Sequence, residues 1–309
     1  MLILEVFTQV LLPILLMFGA GWILDRRWNL DLSTVVKLNI NCFVPAFVFY
    51  ELSTKRIGGI LAWKAVGFTL SVIAVLFLLA ALVGKFRGYP TARIRSLQMA
   101  SGFYNSANYG IPLMHLAFPG ETEALQVFVV LVQNVANFTL GIFMVSSVRT
   151  PGWRAALPML RQVSLWAVIS ALLLRAFHGP VEPDLSGGMR WLWVPMKYFH
   201  DALVSVALMT LGIQLSKTRA KFALAPIGWA LSLRLLAGPL VGWALAHAFQ
   251  FEGPVLLSMI LSTSFPTAVN TAMIAHEFGA DAEYATDTVF WSTLLSILSV
   301  TSLVVLLRS

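Results

Sequence analysis

The sequence predicts an all-α polytopic membrane protein of ten helical spans, built as two halves of five spans each. Three observations predict it. Of 309 residues, 58% are hydrophobic and only 11% charged, whereas a soluble domain carries about 25% charged residues. Apolar runs recur along the whole chain, each near the roughly 20 residues that a bilayer crossing requires. Two of those runs are interrupted near their middles by clusters of Asn, Gly, Pro and hydroxyl residues.

The runs fall near 6–24, 32–52, 60–84, 96–117, 123–147, 159–177, 191–215, 223–249, 253–276 and 285–307. The longest connections, near 148–158 and 178–190, are short and rich in Pro, Gly and charge. No soluble domain fits between the spans, so function has to lie within the membrane. A mean hydropathy of +0.81 excludes a soluble enzyme. The net charge of +7 and pI near 9.8 do not point to nucleic acid, because the basic residues sit in short loops, where topology accounts for them. With loops alternating sides, most basic residues collect near 26–37, 85–95, 149–161 and 217–221. The positive-inside rule makes that side cytoplasmic and places both termini on the other. The first run carries Glu5 and no basic residue ahead of it, while Arg26 and Arg27 follow, the pattern of a retained span instead of a cleaved signal. The lone Cys42 excludes an internal disulfide framework or a cysteine-built metal site. Asn137-Phe138-Thr139 matches a glycosylation acceptor by chance, since it falls inside an apolar run.

In the fourth run, Asn105-Ser106-Ala107-Asn108-Tyr109-Gly110-Ile111-Pro112 predicts an unwound stretch. Pro112 removes a backbone donor, Gly110 permits unusual dihedrals, and the asparagine amides can satisfy freed backbone groups. Such backbone survives at membrane depth only where protein or water covers it. The ninth run repeats the theme with Ser262-Thr263-Ser264-Phe265-Pro266-Thr267-Ala268-Val269-Asn270-Thr271. A shift of 160 residues sets Met99 on Met259, Phe118 on Phe278 and Glu123 on Glu283, so each break precedes a Phe and an acidic loop at the same offset. The halves are 1–150 and 151–309, and an odd number of spans per half inverts the second. Inverted repeats with interrupted helices point to a secondary transporter whose substrate site lies where the breaks meet. Half-helix N-termini suit an anion, most simply a carboxylate; the alternative is that the polar residues only stabilise kinks and packing.

At these residues the sequence resembles the auxin efflux carrier family, which includes plant auxin exporters and bacterial carriers of the malonate or malate type. The resemblance rests on Asn105, Gly110, Ile111, Pro112 and Leu113, on Lys37-Leu38-Asn39 with Pro45-Ala46, and on the 265–270 stretch. Ala275-His276-Glu277-Phe278-Gly279 and Ser292-Thr293-Leu294-Leu295-Ser296 extend it toward the bacterial branch. One departure lies at Val206 to Leu208, where the family often carries proline. The resemblance implies crossing of the two broken helices (spans 4 and 9), elevator-type alternating access, a homodimer, and a place in the plasma membrane, the inner membrane of a bacterium. It implies a small organic anion as substrate, a mono- or dicarboxylate such as malonate, malate or an auxin-like acid. Asn105 and Pro112 from the first break and Pro266 and Asn270 from the second become substrate-site candidates, joined by Asn108 and Gly110 from the same cluster.

Second-rank candidates for lining or gating are Asn41 (with Asn39), Gln133, Asn134, Asn137 and Arg234. Arg234 sits inside the eighth run, where a central arginine costs about 2.5–3.5 kcal/mol; it either pairs with an acid such as Asp201 or Asp287 or serves anion attraction or gating. Gly238 and Gly242 form a Gly-x-x-x-Gly packing pattern. His115 is read as a structural donor, and the adjacent His200 and Asp201 diverge on a helix and are not assigned to coupling. Protons and the lipid bilayer are expected partners; no cofactor, metal or nucleic acid is called for. The rival functions are an intramembrane enzyme, for which His115, His178, His200, His247 and His276 are too scattered to form a catalytic cluster, and a ligand-sensing receptor or channel.

Overall fold

The computed structural model describes residues 8, 12–54, 60–111, 113–114, 121–148, 163–217 and 224–308. Its regular structure is helical. Helix α1 is Leu12–Trp28, α2 Leu32–Thr54, α3 Ile60–Phe86 and α4 Thr91–Gly102. Helix α5 opens with Glu121–Ala136 and continues through Asn137–Gly141 and Ile142–Ser146. Then come α6, Val163–His178, and α7, Arg190–Lys217. Helix α8 comprises Leu224–Ser232, Leu233–Ala237 and Gly238–Ala248. The chain ends with α9, Gly253–Ser262, α10, Val269–Phe278, and α11, Ala282–Arg308.

Among the described residues, five helical stretches are long and apolar enough to cross a membrane: Leu32–Thr54, Ile60–Phe86, Phe128–Ser146, Ile227–Ala248 and Ala282–Leu306. Their outward faces carry large apolar side chains, including Trp63, Leu78 and Leu82 on α3, Leu240 and Trp243 on α8, and Leu298 and Leu306 on α11. That much exposed apolar surface is stable only against lipid. With the family evidence below, it makes the chain an all-α integral membrane protein.

Two of the long helices widen into π-turns at Asn39–Phe43 and Leu233–Ala237, and each is followed two residues later by a proline, Pro45 and Pro239. A proline ring collides with the carbonyl four residues back. Widening the preceding turn relieves that collision without ending the helix. A π-turn in α5, Asn137–Gly141, has no such proline, and nothing among the described residues explains it.

Contacts between helix ends sort into two sets. In one, Lys217 binds Asp25 at 2.9 Å and Arg93 binds Asp281 at 2.8 Å, so the ends of α1 and α7 meet, and so do the start of α4 and the turn before α11. In the other, Arg175 donates to the Leu52 carbonyl and Val181 N–H to Ser53. His200 reaches Glu51 from the same end of α2.

Candidate functional site

The fourth and ninth apolar runs are broken, and the breaks touch. Helix α4 stops at Gly102 and α9 at Ser262, 160 residues apart, the shift that sets Met99 on Met259 and Glu123 on Glu283. Tyr104 and Thr267 then form an isolated antiparallel bridge. Asn105 N–H donates to the Pro266 carbonyl at 2.8 Å and Ala268 N–H to Phe103 at 3.0 Å. The expectation that the Asn105 to Pro112 cluster, with its two asparagines, glycine and proline, forms the unwound stretch needs correcting. The unwound residues are 103–105, and Ser106–Gly110 already forms a π-turn. Gly110 is needed for space, since a Cβ there would lie 2.5 Å from the Phe265 ring and 2.7 Å from Gln126.

A helix that ends inside a membrane leaves carbonyls that water cannot reach. At α4 each finds a donor. Met99 O accepts from Phe103 N–H, Ala100 O from the Thr267 hydroxyl at 2.8 Å, and Ser101 O from Arg234. Gly102 O accepts from Gln133 at 3.4 Å and Phe103 O from Ala268 N–H. At α9 the hydroxyls of Ser262, Thr263 and Ser264 bond carbonyls one turn back, and Arg234 donates to Thr263 O.

On the other side of the bridge lies a polar cavity of about 20 Å3, room for a water or two. Asn39 and Val44 of α2 line it, with residues 104–107 of the first break, Gln133, Asn134 and Asn137 of α5, and Ala268, Val269 and Asn270 at the start of α10. Asn39 Oδ1, Gln133 Oε1, Asn134 Nδ2 and Asn137 Oδ1 are buried with no hydrogen-bond partner among the described residues. A buried amide left so costs about 1–3 kcal/mol, and such groups signal a water or a ligand. A wider cleft of about 1000 Å3 shares Val269 with this cavity and runs past Val36, Met273 and His276 toward Lys37, Lys217, Glu277, Glu283 and Asp287.

Of the sequence candidates, the structure brings Asn105, Gln133, Asn134, Asn137 and Asn270 to the cavity. Pro266 sits in the bridge, Gly110 packs under Phe265, and Asn41 is exposed, donating to the Lys37 carbonyl of its own helix at 2.9 Å. The backbone of Asn108 lies in the π-turn, its side chain outside what is described; Pro112 and His115 lie outside the described residues. Arg234 does not line the cavity and pairs with neither Asp201 nor Asp287 among the described residues. Its guanidinium is buried against two backbone carbonyls, with Tyr104 beneath it, 4.9 Å from the ring centroid. His200 and Asp201 do meet, at 2.8 Å, because the imidazole is stacked on Phe47 and held by Glu51 at 2.7 Å. That cluster ties α2 to α7.

Residues 166–304 match the family described as membrane transport protein. The resemblance to the auxin efflux carrier family holds. Relatives extend it over most of the chain. A protein of Methanothermobacter thermautotrophicus named "Uncharacterized transporter" is 23% identical over 296 residues, covering 94% of this chain and 95% of that one. A protein of Rhizobium meliloti named "Putative malonate transporter" is 27% identical over 253 residues, covering 79% and 76%. Tyr104, Ser106 and Val44 line the cavity without having been candidates in the sequence. Ser106 lies in the polar cluster that marks the first break, whereas a Tyr or Val in an apolar run is ordinary until the fold turns it inward.

Proposed function

We propose that the chain is a secondary carrier of a small organic anion, a mono- or dicarboxylate of the malonate, malate or auxin-like type, working by elevator-type alternating access. The observation that carries this is the bridge between the two breaks, with a cavity against it into which Asn39, Gln133, Asn134 and Asn137 bring amide atoms that have no partner among the described residues. Helix α10 begins at that cavity, and its N-terminus, where Thr271 N–H turns back to the Ala268 carbonyl, carries partial positive charge. Asn105 and Asn270 flank the opening of the turn and offer amide donors to a carboxylate. A cavity of about 20 Å3 is too small for malonate, so substrate enters when the site widens into the neighbouring cleft. Ten spans in two inverted halves, 1–150 and 151–309, account for the 160-residue offset of the two breaks. The two sets of helix-end contacts support alternating loops, with Lys37, Lys85, Arg93 and Lys217 on the cytoplasmic side of a plasma membrane and both termini opposite. A homodimer completes the proposal, with the anion gradient, voltage or protons driving transport.

Counterflow tests it. Proteoliposomes loaded with unlabelled malonate or malate should accumulate the labelled acid transiently, and protein-free vesicles should not. Saturable binding of the acids without counterflow would replace the carrier by a receptor.

A further inference from the structure

Arg234 is the only buried Lys or Arg among the described residues. No carboxylate lies within ion-pair distance of it among them. Its two terminal nitrogens donate to Ser101 O at the end of α4 and Thr263 O at the end of α9. Each helix C-terminus carries about half a negative charge, so the two ends together offset one guanidinium. Helix α8 is shaped to deliver it. The π-turn Leu233–Ala237 contains Arg234, and Gly238 and Gly242 let the α8 backbone close on Thr263, where a Cβ at 242 would stand 2.0 Å from the Thr263 hydroxyl. In broken-helix carriers, unwound carbonyls and half-helix C-termini are the groups that coordinate a coupling cation.

We propose that Arg234 is a tethered cation occupying the position at the crossing that a mobile coupling cation would otherwise fill, so that the crossing is complete without sodium. Arg234 is then a positioning residue. It touches no substrate and acts by holding the carbonyl ends of both broken helices together. The idea rests on the carrier reading only for its link to coupling, and its test needs no transport, so the two can fail separately.

The test is thermal unfolding of the purified full-length protein in detergent, in sodium chloride and in choline chloride at matched ionic strength. The native chain should melt at the same temperature in both. Arg234→Ala should melt roughly 10 °C lower, and low guanidinium or sodium, but not choline, should recover a large part of the loss. Arg234→Lys keeps the charge and should lose clearly less than the apolar Arg234→Met. A native protein stabilised by sodium over choline overturns the proposal, whether or not any variant folds. So do equal losses for Lys and Met, or an Ala variant indifferent to every cation. If the Ala variant does not fold, the native comparison and the Lys–Met pair decide.

Discussion

The two faces of the crossing are built to opposite standards. On the face where α4 and α9 end, the carbonyls from Met99 to Phe103 and that of Thr263 all receive donors, from Phe103 itself for Met99 and otherwise from α5, α8 and the other break. Across the bridge, where α10 begins, four buried amide atoms have no partner among the described residues. The saturated face holds the breaks together. The other leaves buried amide atoms without a partner among the described residues.

Three pairs of substitutions probe that contrast. The largest effect belongs to Gly242→Val on the saturated face, where the new side chain would drive α8 off Thr263. Overpacking of that kind costs roughly 3 kcal/mol, read as a lower melting temperature and poor recovery of folded protein. Gly228→Ala, with nothing within 4 Å of its Cβ, should change little. If both behave alike, close approach of α8 is not what secures the crossing. Next come Asn105→Ala and Asn270→Ala at the other face. A hydrogen bond to a charged ligand is worth about 1.5–3 kcal/mol, so each should weaken carboxylate binding by about tenfold or more. Unchanged affinity in both would remove the anion site from this cavity. The smallest effect is the sharpest, because its sign differs between the faces. Thr267→Val strips the donor from Ala100 O and should destabilise by about 1 kcal/mol, whereas Asn137→Leu removes an unsatisfied amide atom and should leave the melting temperature equal or higher. Destabilisation by both would show that the amides serve the fold.

Much of this was legible in the sequence. Composition and run length exposed a membrane protein, and Gly-Ile-Pro in one half and Phe-Pro-Thr in the other marked the two breaks. Harder to read was phase. Asn39 and Asn41 are two residues apart, and on a helix one of such a pair turns away; the π-turn set by Pro45 decides which, and it brings in Asn39. Partners distant in sequence were also hidden. Charge pairing suggested a carboxylate for Arg234, yet its counter-charges are peptide carbonyls, which no residue type announces. His200 was set aside because its neighbour Asp201 should point elsewhere, and its bond to Glu51 spans 149 residues.

The donors that close α4 also impose an order on biosynthesis. Ser101 O waits for Arg234, 133 residues downstream, and Ala100 O for Thr267, 167 residues downstream. Until the ribosome has made them, the first half enters the bilayer with a helix end at which the Ala100 and Ser101 carbonyls lack these donors. The nascent half must therefore linger near the insertion machinery or the interface, and its completion is an act of the second half arriving.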